Sequence, residues 1–149
     1  MNAVGTGHAI EVSSIRRPLK SLTKLWAQGT ALAILLVSAA YLLAKAAGDP
    51  LIVEGLGAIT LANVLGFTLF GATVGAVLAY LFGRFARSPR MTVLAVTVIA
   101  LAGYAVVPFT AAESVQTAIW LNVFHVVVAI PVIGMLARYL PGSRTSTEP

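Results

Sequence analysis

Cysteine is absent from the chain, which removes disulfides, thiol nucleophiles, iron–sulfur clusters and cysteine-bound zinc from the functions open to it. Histidine is nearly absent: His8 and His125 are the only two, too few to suggest a metal site. Charge is scarce as well. Asp, Glu, Lys and Arg make up 10% of the 149 residues, against about 25% in soluble domains. No H-E-x-x-H, G-x-S-x-G or phosphate-binding glycine loop occurs, and no two acids share an apolar stretch. The expectation is a protein that is not an enzyme and has no catalytic residues, no metal and no cofactor.

Apolar residues fill the space. They form 58% of the sequence, with a mean hydropathy of +0.92. Four apolar runs stand out, at 25–47, 58–82, 91–107 and 115–140. A helix crossing a bilayer needs about 20 predominantly apolar residues, with a range of about 17–25. All four runs qualify; the third is short and extends if Pro108 and Phe109 join it. The connecting pieces "GDPLIVEGLG", "GRFARSPR" and "PFTAAES" are short, so consecutive helices should be antiparallel neighbours. Residues 1–24 read as a disordered basic arm, 25–140 as the membrane domain and 141–149 as a disordered tail. "SSIRRPLK" before the first run imitates a twin-arginine signal. That run is longer than the roughly 7–15 apolar residues of a signal peptide, so the first helix is expected to be retained.

The basic residues set the orientation. Arg16, Arg17, Lys20 and Lys24 precede the first run, Arg84, Arg87 and Arg90 separate the second from the third, and Arg138 and Arg144 end the fourth. With four spans these clusters share one side, while Asp49, Glu54 and Glu113 fall on the other. Cytoplasmic loops carry the excess of Lys and Arg, so both termini are expected in the cytoplasm of a multi-pass inner-membrane protein. The nearest anion to these cations is then the membrane surface, and the lipid bilayer rather than nucleic acid is the expected partner.

Two features inside the runs invite a functional reading. The first is "LNVFHVVVAIPV", 121–132, where His125 lies about ten residues, or roughly 15 Å at 1.5 Å per residue, from the start of the last helix. Ala118, Asn122, His125, Ala129 and Val132 share one face by helical spacing, and Pro131 frees the carbonyl of Val127. A polar face inside a membrane should point into the bundle. Partners at similar depth are Thr68, Thr97, Tyr104, Tyr41 and Ser38, with Asn63 nearer the outer side and placed to pair with Asn122. This set, His125, Asn122, Asn63, Thr68, Thr97 and Tyr104, is the candidate intramembrane polar site. Its readings are interhelical hydrogen bonding, proton or ion handling, and contact with a ligand. The second feature is the stripe Gly71, Gly75, Ala79 and Gly83, a small-xxx-small surface for close helix approach. It serves packing within the bundle or a seam to a second copy or a membrane-protein partner. Lys45 and Asp49 are spaced to pair one turn apart, with Glu54 and Glu113 nearby; the set reads as solvated loop charges, with a cation or partner site as the alternative.

The basic arm before "LWAQGTALAILLV", the loop "GRFARSPR" and the stretch "NVFHVVVAIPV" resemble a family of small actinobacterial four-helix membrane proteins of unknown function. His125 and Pro131 match the family's final helix, whereas Phe124 stands where a methionine is expected. The resemblance implies a four-helix fold and inner-membrane residence, and no activity. The reading reached is an all-α integral membrane four-helix bundle, antiparallel up-down-up-down, with both ends inside. Its expected role is structural, accessory or partner-binding; the alternative is a small transporter or channel component with a polar path at Asn122 and His125.

Overall fold

A computed structural model of the protein describes residues 19–141. The arm 1–18 and the tail 142–149, where disorder was expected, lie outside the described residues. The order of elements is α1 (Leu19–Ala46), a hairpin of β1 (Ile52–Val53) and β2 (Gly57–Ala58), α2 (Leu61–Phe85), α3 (Pro89–Tyr104), α4 (Val107–Ala111) and α5 (Val115–Tyr139). Four helical segments, with α3 and α4 taken together as one, are long and apolar enough to cross a membrane. Large apolar side chains such as Leu35, Phe70, Ile99 and Ile130 stand on the outside. A soluble monomer rarely presents so continuous an apolar surface, so the protein is a multi-pass membrane protein.

Each boundary has a local cause. α1 starts at Leu19 rather than at 25, because Leu, Lys and Ser continue a helix that the hydropathy signal no longer marks. Residues 19–24, expected as part of the arm, are its first turns. α2 starts at Leu61 rather than at 58, behind a capping box. The Thr60 hydroxyl accepts from the Asn63 backbone N–H at 3.2 Å, and Asn63 Oδ1 accepts from the Thr60 N–H at 3.1 Å. α3 opens with Pro89 in its first turn, where a missing N–H costs nothing. α5 begins after Ser114, whose hydroxyl accepts from the Thr117 N–H at 3.0 Å.

The third span does not end at 107; it breaks and resumes. Pro108 has no N–H to offer the Tyr104 carbonyl. Phe109 then bonds to the Val106 carbonyl at 3.1 Å, which leaves the Ala105 carbonyl without its helical donor. The short helix α4 follows, so part of the expected loop 108–114 is helical.

The stretch expected as an exposed loop, 48–57, is folded. Asp49 is buried, and its Oδ1 accepts from the Leu51 N–H at 2.8 Å across Pro50. Leu51 takes φ +56 and is itself wholly buried. Ile52 pairs with Ala58 and Val53 with Gly57, and Val53 also bridges to Ala112. The Glu54 N–H donates to Ala111 O at 2.8 Å and the Glu113 N–H to Ile52 O at 3.2 Å. Both loops at this end therefore join in one hydrogen-bonded cap.

Two apolar clusters form the core. Under the cap, Leu51, Val53 and Ile59 meet Val37, Ala40, Ala44, Val64 and Phe124. At the far end Leu22, Ala33, Ala72, Ala79, Val132 and Leu136 pack together. Small residues let backbones approach: an added Cβ on Gly29 would stand 3.2 Å from Met135 Cβ and Pro131 O and 3.3 Å from Val132 Cα. At this α1–α5 seam the added Cβ would press on backbone atoms, and Gly29 continues into the buried small residues Ala33, Ala40 and Ala44 of α1. Asp49, just beyond the end of α1, meets Thr117 in the first turn of α5.

Candidate functional site

The six residues of the expected polar site do not form one cluster. Asn63 is spent on the capping box of α2, where its side chain also meets the Thr60 hydroxyl, and it does not pair with Asn122. The Asn122 side chain reaches the break in the third span instead. Its Nδ2 donates to Ala105 O at 3.2 Å and to Ala118 O on its own helix at 3.0 Å. It thus satisfies the carbonyl that the turn before Pro108 leaves free, a satisfaction that a membrane interior demands. The Thr68 and Thr97 hydroxyls donate back to the Val64 and Val93 carbonyls, each at 2.8 Å. Tyr41, further along α1, donates to Ile59 O at 3.4 Å.

His125 and Tyr104 do meet. Their ring centroids are 4.4 Å apart with planes tilted by 42°. His125 Nδ1 lies 2.5 Å from Leu121 O, one turn earlier on α5. A carbonyl only accepts, so Nδ1 is the donor and carries the proton. In the neutral imidazole Nε2 is then the unprotonated nitrogen, an acceptor. Nε2 makes no hydrogen bond among the described residues.

His125 also borders a cavity of about 610 Å³ enclosed by α2, the α3–α4 span, α5 and the hairpin. Thr68, Gly71, Thr97 and Tyr104 line it from the other helices, and Val53 and Ile59 close it towards the cap. Its rim is exposed: Phe67 and Phe70 on α2 are 62% and 69% accessible, and Tyr104 on α3 is 46%. The cavity therefore opens sideways, between α2 and α3.

The glycine stripe divides in two. An added Cβ on Gly75 would touch Leu136 Cδ1 at 3.5 Å, and one on Gly83 would touch Leu140 Cδ2 at 3.2 Å. Ala79 between them is fully buried. Gly75 thus faces side chains of α5, and Gly83 faces Leu140 just past its end. Gly71 faces neither: an added Cβ there meets nothing within 4 Å, and the residue forms part of the cavity wall.

Asp49, which reads in the sequence as a solvated loop charge, is instead a buried staple. Its Oδ1 accepts from the Thr117 hydroxyl at 2.6 Å, and that hydroxyl in turn accepts from Ser114 Oγ at 3.0 Å. Oδ2 is buried with no hydrogen-bond partner. Lys45 Nζ donates to the Asp49 and Pro50 carbonyls at 3.2 and 3.4 Å, holding the turn from the end of α1. The signal was present in "GDPL". An Asp before Pro readily bonds the N–H two residues on.

The architecture and this apolar, laterally open cavity define a class, the multi-pass membrane protein with four apolar helical spans. A model of a family of unknown function, DUF6069, matches residues 17–142, and the chain belongs to that family. Comparisons with curated proteins and with solved structures returned no match.

Proposed function

We propose that this protein is a non-enzymatic accessory bundle of the inner membrane, threaded up-down-up-down with both ends cytoplasmic, that works by binding a membrane partner rather than by conducting a solute. The orientation rests on charge: nine of the ten basic residues fall on one side if the four spans alternate. The capped end, which carries Asp49, Glu54 and Glu113, then faces outward.

One observation carries the preference for binding over transport: most of the polar side chains that would make a path are committed elsewhere, and among the described residues of that set His125 Nε2 and the Tyr104 hydroxyl are left without a bond. Asn122 caps the Ala105 carbonyl, Thr68 and Thr97 bond their own helices, and Asn63 caps α2. Two uncommitted groups do not line a continuous polar path through an apolar core about 30 Å thick, so an ion there would lose more of its water than the side chains replace. The hydrogen-bonded cap also covers the end of the bundle above His125. The span from Pro89 to Ala111 is the least buried of the four and supplies the free face for a partner.

Proteoliposomes test this. Proton and cation flux should equal that of protein-free vesicles, and cross-linking in native membranes should capture a stoichiometric partner on α3. Flux above background that His125→Gln abolishes would overturn the reading in favour of a transport component. Orientation is checked separately, since the chain has no cysteine to remove. Single cysteines at Arg87 and Leu56 should react with an impermeant maleimide from the cytoplasmic and outer sides respectively.

A further inference from the structure

The cavity beside His125 has properties that a packed accessory bundle does not require. Its volume of about 610 Å³ falls within the ~300–1,000 Å³ usual for small-molecule sites. Its mouth lies between two helices, at an exposed rim of Phe67, Phe70 and Tyr104, so in a membrane it opens to lipid rather than to water. Among the described residues no Asp, Glu, Lys or Arg lines it. A ligand that fits is therefore neutral and lipid-soluble, because a phosphate headgroup or an ionised fatty acid would be left unpaired.

The polar atoms narrow the class. Thr68 and Thr97 have already given their protons to carbonyls and keep only weak acceptor lone pairs, so the strongest acceptor left for a ligand is His125 Nε2 and the donor left is the Tyr104 hydroxyl. Nε2 is not sealed away: among the described residues the buried polar atoms without partners are Trp26 Nε1, Thr30 Oγ1 and Asp49 Oδ2. With Nδ1 donating to Leu121 O, Nε2 asks for a donor. Aromatic side chains line the same cavity, with Tyr104 tilted against the imidazole and Phe67 and Phe124 in the wall. Flat rings stack favourably on such walls.

We propose that this cavity binds a lipid-soluble phenol, a hydroxylated ring on a hydrocarbon tail of the quinol kind, which enters between α2 and α3 and donates its O–H to Nε2 of His125. The tail lies along the bare backbone at Gly71, where no side chain occupies the wall. Binding of the phenol does not rest on the accessory reading, and it is tested on the protein without any partner.

The test uses the full-length protein in non-ionic detergent, with thermal unfolding as the readout, because a ligand that binds only the folded state raises Tm. Decylubiquinol should raise Tm. Decylubiquinone, which has no O–H to give, and decanol, which has no ring, should each need roughly tenfold more for the same shift, about the worth of one hydrogen bond or one ring contact. His125→Phe should erase the difference between quinol and quinone. Gly71→Leu should fold, since its side chain enters open space, and should abolish the shift; Ala100→Phe, at the exposed rim on α3, blocks the same mouth should the first variant not fold. No shift with the quinol overturns the proposal, as does a shift that survives both blocking variants. Equal response to quinone overturns the role of Nε2, and equal response to decanol overturns the phenol class.

Discussion

Replacing Asp49 with Ala should loosen the whole capped end of the bundle. The substitution removes the acceptor of two short hydrogen bonds, from the Leu51 N–H at 2.8 Å and the Thr117 hydroxyl at 2.6 Å. Leu51 is wholly buried, so its N–H finds no water in exchange, and an unsatisfied buried donor costs about 1–3 kcal/mol. Leu51 also sits at φ +56, a conformation that costs a side-chain-bearing residue roughly 1–2 kcal/mol and that the bond to Asp49 helps to hold. The expected loss for Asp49→Ala is therefore about 2–4 kcal/mol. Asp49→Asn keeps Oδ1 as acceptor and should cost about 1 kcal/mol, since it introduces a buried donor at the unpaired Oδ2 position. Thr117→Val alone should also cost about 1 kcal/mol, and the double variant should fall short of the sum by about 1 kcal/mol because the two side chains share one bond. Reversible unfolding in mixed micelles measures each value. Strict additivity, or a cost for Asp49→Ala below that of Asp49→Asn, would refute the account of Asp49 as a buried staple between α1 and α5.

At Gly29, substitution by Ala places a Cβ 3.2 Å from a backbone carbonyl of α5; overpacking of this kind costs about 1–3 kcal/mol, read as a lower unfolding midpoint, and Leu should be worse. Asn122→Leu leaves the Ala105 carbonyl without its donor. It should cost about 0.6–1.7 kcal/mol, the range seen for bonds between membrane helices, and hydrogen exchange should rise at the amides of residues 105–112 while those in the middle of α2 stay protected.

Hydropathy made the four spans legible, because about twenty apolar residues in a row have few alternatives in a chain so poor in charge. It did not show where helices yield to other backbone. Ala58–Thr60 are apolar enough to extend the second run, yet Ile59 belongs to the cap, its N–H donating to Leu51 O at 2.8 Å. Pro108 was visible in the sequence, but the carbonyl it disturbs belongs to a neighbour, and only the folded chain shows that Asn122 on another helix answers it. The same holds for the candidate site. Composition identified the few polar residues inside the apolar runs, and helical spacing placed several on one face. Which of them remain available was decided by local bonds, to Leu121 for His125 and to Thr60 for Asn63, that short-range pattern does not rank. Asp49 was misjudged because charge near a loop ordinarily means solvent, whereas here the Asp-Pro turn folds it inward.

The cap also dictates an order of assembly. Its staple joins residues 68 positions apart in the chain, and its β pairing draws Val53 to Ala112. The turn itself closes locally, since the Leu51 N–H reaches Asp49 Oδ1 two residues away. The bridge to Ala112 and the bonds to Ala111 and from Glu113 find their partners only once the third span has been made, and the Asp49–Thr117 bond only when the first turn of α5 is present. The tie between the two loops is therefore a late event in biogenesis, added to a hairpin that already holds its own local bonds.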